Sequence, residues 1–245
     1  MIIIGLLIGG VFGGMRLIDI ATANGIASQL KSIESSALTF RSTYGRLPGD
    51  LRNPNTRLTN CANAPCSVSG NGNGTIGTLH ATPAARVSAT INNVSENYTF
   101  WHQLTAADLV SLGITNSNDM SFGVGTPESS ESGVGYRVAS LNSAHNIVAG
   151  ATQCNSGLIT GAQLILGSDP NGNNASSTSI PCRIASMVDK KIDDGFAQNG
   201  AYTTALGCLT SPVAAPLTCD YWDAYASSDG LILPNSVHFY DFKGF

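Results

Sequence analysis

The sequence predicts an α+β protein: a long N-terminal helix packed on an antiparallel β-sheet, with extra short helices and disulfide-tied loops. Three observations carry this. An uncharged apolar run, residues 1–15, continues without a break into an amphipathic stripe that closes at Tyr44. Short stretches of alternating apolar and polar residues follow, set among Gly, Asn and Ser. The 6 cysteines all lie beyond the helix, and none forms a Cys-x-x-Cys pair.

The helix comes first in the chain. Ile26, Leu30, Ile33, Ala37, Phe40 and Tyr44 recur at helical spacing and make one apolar face. Gln29, Lys31, Glu34, Ser35 and Arg41 lie off that face. This stripe is expected to pack the helix onto a head. The stop is chemical: Gly45 can take the left-handed position after the last turn, and Pro48 in Leu47-Pro48-Gly49-Asp50 cannot continue a helix.

Ahead of the stripe, Ile3, Ile4, Leu6, Leu7, Ile8, Val11 and Phe12 form an apolar run that Arg16 and Asp19 end. Residues 2–14 fall short of the about 20 apolar residues a bilayer span needs. Three readings stand. One is a signal peptide cleaved after Ala23, at the small-x-small site Ala21-Thr22-Ala23, although no basic segment precedes the apolar core. Another is a buried core helix, which Gly5, Gly9, Gly10, Gly13 and Gly14 would weaken. The third is the lower part of a longer membrane helix whose start is missing from this sequence. The unbroken amphipathic continuation favours the third.

Two regions follow from this: residues 1–50, a membrane or assembly helix with its exit, and residues 51–245, a globular head. Length permits one sizeable head and no more is needed. In the head, residues 53–80 read as a long loop region with room for a short ribbon. Residues 98–110 read as a helix burying Phe100, Trp101, Leu104 and Ala107 and ending near Gly113. Residues 133–140, 146–149 and 163–166 alternate like strands. Residues 169–174 are a loop. Residues 180–193 read as a helix with Ile184, Met187, Val188 and Ile192 on one face and Gly195 as the stop. Residues 237–242 read as a closing strand.

Composition narrows the function. There are 12 Lys and Arg against 16 Asp and Glu, with no clustered basic face, so no nucleic-acid partner is expected. Charged residues are 11% of the chain, against about 25% in an ordinary soluble domain. Gly, Asn, Ser and Thr take their place, which suits a loop-rich extracellular surface. The dispersed cysteines fit disulfides in an oxidising compartment better than zinc. Nearest neighbours are expected to pair: Cys61 with Cys66, Cys154 with Cys182, and Cys208 with Cys219.

No catalytic constellation stands out, so no enzyme and no cofactor is expected. Gly72-Asn73-Gly74-Thr75-Ile76-Gly77 matches a phosphate-loop spacing but lacks the strand before it and the helix after it. Ser28 and Lys31 match the Ser-x-x-Lys spacing with no Lys-Thr-Gly elsewhere. His80, His102, His145 and His238 are dispersed, with His102 placed at a core margin. Asp193-Asp194 fits a turn at a helix end. Asp169, Asn171 and Asn173 offer alternate oxygen ligands, a weak calcium candidate that lacks the glycine and distal Glu of an EF-hand. Asn93, Asn97 and Asn174 each begin a glycosylation sequon.

Several of these stretches together resemble the type IV pilin-like proteins, which include the pseudopilins of type II secretion. The run Ile3-Ile4-Gly5-Leu6-Leu7-Ile8-Gly9-Gly10 resembles the middle of their N-terminal helix. Phe40, Tyr44 and Leu47-Pro48-Gly49-Asp50 resemble the helix exit of a large-headed branch. Asn71-Gly72-Asn73-Gly74 with Phe100-Trp101-His102-Gln103-Leu104 fits that branch, as does the stretch 188–200. The family's peptidase signal and its Phe-Thr-Leu-Ile-Glu-like start have no counterpart here. The resemblance implies a pilin-like fold and a subunit held in the bacterial inner membrane. It further implies a prepilin peptidase, an assembly ATPase and a platform protein as partners, and a homo- or hetero-oligomeric filament in the periplasm or at the cell surface. The bacterial origin it implies would make the sequons at Asn93, Asn97 and Asn174 chance matches. The competing reading is a secreted, disulfide-stabilised adhesin or carbohydrate-binding protein released after Ala23.

Overall fold

The computed structural model describes residues 2–77, 92–141, 161–167, 180–193, 202–204 and 238–241. Within them the chain is α+β. Helix α1 runs Ile2–Tyr44, α2 Pro54–Arg57, α3 Glu96–Ala106 and α4 Cys182–Ile192. Strands β1 (Gly135–Leu141), β2 (Gly161–Gly167), β3 (Tyr202–Thr204) and β4 (His238–Asp241) form one sheet in the order β1-β2-β4-β3. Each neighbouring pair is antiparallel.

The expected stripe is the buried one. Ile26, Leu30, Ile33, Ala37 and Phe40 are each 1% exposed or less, and Tyr44 sits half-buried at the margin against the Phe40 ring. Together with Ala23 they share one core with Phe100, Trp101 and Leu104 of α3, with Tyr136, Val138, Ala162, Leu164 and Leu166 of the sheet, and with Ile184 and Val188 of α4. Each large side chain contributes about 2 kcal/mol by leaving water. That outweighs the single polar contacts around them, at about 1 kcal/mol each.

The helix ends where expected. Gly45 has φ 72° and donates its N–H to the Arg41 carbonyl at 2.8 Å. Helix α3 ends sooner than the apolar pattern predicts. Asp108 takes φ 56°, its N–H bonds the Thr105 carbonyl at 3.0 Å, and the Leu109 N–H bonds the Leu104 carbonyl at 3.4 Å. This is a Schellman stop built on Asp in place of glycine. Ala107 is therefore half-buried in the turn and is not a helix core residue, and the helix does not reach Gly113.

The sheet differs from its expected alternation. Residues 134–140 are buried throughout, as are 162–167. Tyr136, Val138, Leu164 and Leu166 face the core with α1, while Arg137, Ala139, Gln163 and Ile165 are buried on the other face. A sheet covered on both sides loses the period-two contrast that marks a half-exposed strand. In residues 53–77 the short α2 stands where a ribbon was conceivable. Strand β3 was not foreseen. Helix α4 matches its prediction, with Ile184 and Val188 buried and Met187 and Ile192 packed beside them. The stretches 146–149 and 169–174 and Gly195 lie outside the described residues.

One core group resists protonation because it is buried. His102 is 3% exposed, deep in the core and not at its margin, with its ring bonded to the Gly125 backbone and edge-on to Tyr98. Burial depresses its pKa from 6.5 to about 4. The neutral ring is the folded form, so its contribution is complete above pH 6.5 and is lost as pH falls toward about 4. About 3 kcal/mol of stability should disappear across that window. Denaturation midpoints of the parent and a His102→Phe variant, followed against pH, should differ in slope there; parallel curves would rule this out.

Candidate functional site

Along the first half of α1 most of the described side chains stand clear of the head. Ile3, Ile4, Val11, Met15, Leu17, Ile18 and Ile20 are exposed, Ile3 by 76%. A Cβ built on Gly9, Gly10, Gly13 or Gly14 would meet open space. From Ala23 onward the same helix is buried on one face. Leu6, Leu7, Ile8 and Phe12 lie on the bare half, though their side chains lie outside the described set. Among the described residues no helix is long and apolar enough to cross a membrane.

Polar contacts fasten α1 where it meets the head. Gly25 is a notch: a Cβ there would collide with the Ser130 side chain. One turn on, Gln29 Oε1 accepts from the Ser130 N–H, the Ser130 hydroxyl and the Tyr136 hydroxyl, at 3.1, 3.1 and 2.8 Å. Burial raises the Tyr136 phenol well above its ordinary pKa, so it remains a donor. Arg183 of α4 meets Asp19 at 2.6 Å, and Lys191 donates to Asn24 Oδ1 at 2.6 Å.

The helix exit grips a loop. Leu47-Pro48-Gly49-Asp50 is a β-turn, with the Asp50 N–H on the Leu47 carbonyl at 3.2 Å and Gly49 at φ 83°. Pro then Gly at its two central positions is the type II pattern. A side chain at Gly49 would also strike the Glu96 carbonyl. The turn aims Asp50, fully buried, into loop 70–77. The Asn73 and Gly74 N–H groups donate to its two carboxylate oxygens at 3.0 and 2.9 Å. Glu96 does the same from α3, accepting from the Asn71 and Gly77 N–H groups at 2.8 and 2.9 Å. Burial holds the Glu96 carboxyl above its usual range, against those two donors, with Asp50 adding to the rise.

Cations complete the grip. Arg52 Nε and Nη2 donate to the Asn71 carbonyl at 2.8 and 2.5 Å, and Arg46 Nη1 to the Gly72 carbonyl at 2.8 Å. The loop's far end joins the sheet, where the Ile76 N–H bonds Ser140 Oγ at 2.6 Å. A hollow of about 130 Å³ between Arg41, Arg46, Asp50 and Ala162 adjoins this knot.

The phosphate-loop match is thus a loop whose Asn73, Gly74 and Gly77 N–H groups are taken by the protein's own carboxylates, and whose Thr75 and Ile76 N–H groups are taken by the Asn73 and Ser140 side chains. Ser28 is exposed, and Lys31 pairs at 3.8 Å with Glu34, so Ser28 and Lys31 form no joint site. His102 is in the core; His238 lies in β4 with its side chain outside the described set; His80 and His145 lie outside the described residues. Asp193 caps α4, and Asp194 lies outside. Asn97 donates to the Val138 carbonyl at 2.6 Å. Cys61 and Cys66 are bonded to each other, with Cα atoms 5.2 Å apart. Cys154, Cys208 and Cys219 lie outside the described residues, as does the Cys182 side chain. Asp169, Asn171 and Asn173 also lie outside; among the described residues no group of acids, His or Cys is placed to hold a metal ion.

Sequence reasoning missed the roles of Asp50, Glu96, Gln29 and Gly25. The signal for Asp50 was available, since an acid directly after a tight turn and a later run of Asn-Gly N–H donors are complementary. No family model, curated protein or solved structure matches this chain.

Removing the Asp50 carboxylate takes a charged acceptor away from two part-buried loop N–H donors. Asp50→Ala should lower unfolding stability by about 3 kcal/mol, and Asp50→Asn by less because one acceptor oxygen remains. Urea titration of both variants measures this, and equal losses for the two would contradict the charged-acceptor account.

Proposed function

We propose that the chain is a structural subunit of a type IV pilus or type II secretion pseudopilus. It is held in the bacterial inner membrane by α1 and assembled into a helical filament, periplasmic or at the cell surface. One observation carries the reading: a single unbroken helix is bare and apolar along its first half and packed into a head along its second. Such a half needs an apolar environment, and a bilayer and a bundle of like helices both supply one. The helix exit and the Asn-Gly loop, which lie apart in sequence, meet in one knot, as expected if they form a shared family motif.

In this reading a prepilin peptidase processes the chain, and an assembly ATPase and platform protein extract it. The bare half exchanges lipid for helix contacts, and the head displays its neutral polar loops outward. No chemical step is assigned to it. The secreted-module reading loses support from Ala23, which is 2% exposed inside α1. Cutting after it would also part Asp19 from Arg183.

Leu6→Asp and Ile8→Asp test the reading. An acid in the apolar segment costs about 3 kcal/mol at mid-bilayer and more against a packed neighbour without a partner. Both variants should vanish from the sheared surface fraction, while the head retains its protease resistance. Normal filament yield from either variant would end the proposal.

A further inference from the structure

We propose that the junction of α1 and α4 is a docking collar for an anionic phospholipid surface, an inference that rests on the membrane-stored subunit reading above. Asp19 is the one acidic residue in residues 1–33. Arg183 neutralises it at 2.6 Å, leaving the Asp19 side chain 13% exposed and Arg183 61% exposed. What faces solvent beside the apolar run is then cationic: Arg16, Lys190 and Lys191, with the exposed Arg183 shared with Asp19. These are four of the chain's 12 cations, gathered in a protein whose net charge is −4. Among the described acids of α4, Asp189 is fully buried and Asp193 is half-buried at its end.

Geometry places the collar at the boundary where lipid headgroups would sit. Arg16 lies among exposed Met15, Leu17 and Ile18, while α4 contacts α1 from Asp19 to Asn24 through Arg183 and Lys191. Long Lys and Arg stems can lie along apolar surface while their charged ends reach phosphate. Apolar insertion with flanking cations gives binding that neither supplies alone. The collar would hold the head against the leaflet and set how deep α1 sits.

The test uses the full chain, delivered from detergent to vesicles of phosphatidylcholine alone or of an equal mixture with phosphatidylglycerol, and read by flotation. The parent chain should prefer the anionic vesicles. Lys190→Gln with Lys191→Gln should weaken that preference by roughly 25-fold, at about five-fold per cation. Arg16→Gln, at an exposed position, should weaken it about five-fold. Binding to phosphatidylcholine should stay as in the parent. Inorganic phosphate should displace the chain no better than chloride of equal ionic strength. Equal partition into both vesicles, an unchanged preference in the variants, or displacement by phosphate alone would overturn the collar. A parent chain that floats with neither vesicle would instead overturn the membrane reading beneath it.

Discussion

Burial of one stripe of α1 is the constraint on which the rest depends. Residues 23–40 rise about 26 Å along the helix, at roughly 1.5 Å per residue. Sheet, α3 and α4 each press apolar side chains onto that length. A helix whose opposite face is polar can be approached only from the apolar side, so the other elements gather there. The same helix extends beyond the region the head can cover. Its bare residues are as apolar as its buried ones, and head packing alone leaves them unsatisfied.

The second constraint is electrostatic. Arg46, Asp50, Arg52 and Glu96 converge on one glycine-rich loop, and each holds a backbone group of it. Two anions take N–H groups and two cations take carbonyls, so the knot is neutral overall. A loop of this composition has little side chain to bury and is costly to order. Charge-assisted hydrogen bonds, stronger than neutral ones, replace the missing core. The knot joins the end of α1, the start of α3 and the edge of β1, all far apart in the chain.

Local patterns made much of this legible. The α1 stripe, the Gly45 stop, β1, β2, β4 and α4 follow from periodicity and turn chemistry within a few residues. The Cys61–Cys66 bond follows from proximity in sequence. What stayed hidden was set at long range. Asp108 stops α3 although glycine is the usual residue there. The β1-β2-β4-β3 order depends on pairings no local window contains. Gln29, outside the apolar stripe, receives three hydrogen bonds from groups about a hundred residues away. The burial of Arg137 on the second face of β1 broke the expected alternation for the same reason.

The continuity of α1 has a mechanical consequence. A pull on its N-terminal half travels along the helix axis into the head without crossing a hinge. The stripe from Ala23 to Phe40 lies parallel to that pull, so its contacts are loaded in shear and share the force. The Leu47-Pro48-Gly49-Asp50 turn anchors the far end, where Asp50 is tied to loop 70–77. Peeling, which would break contacts one after another, requires a sideways pull. A load along the helix axis is therefore spread over many contacts at once.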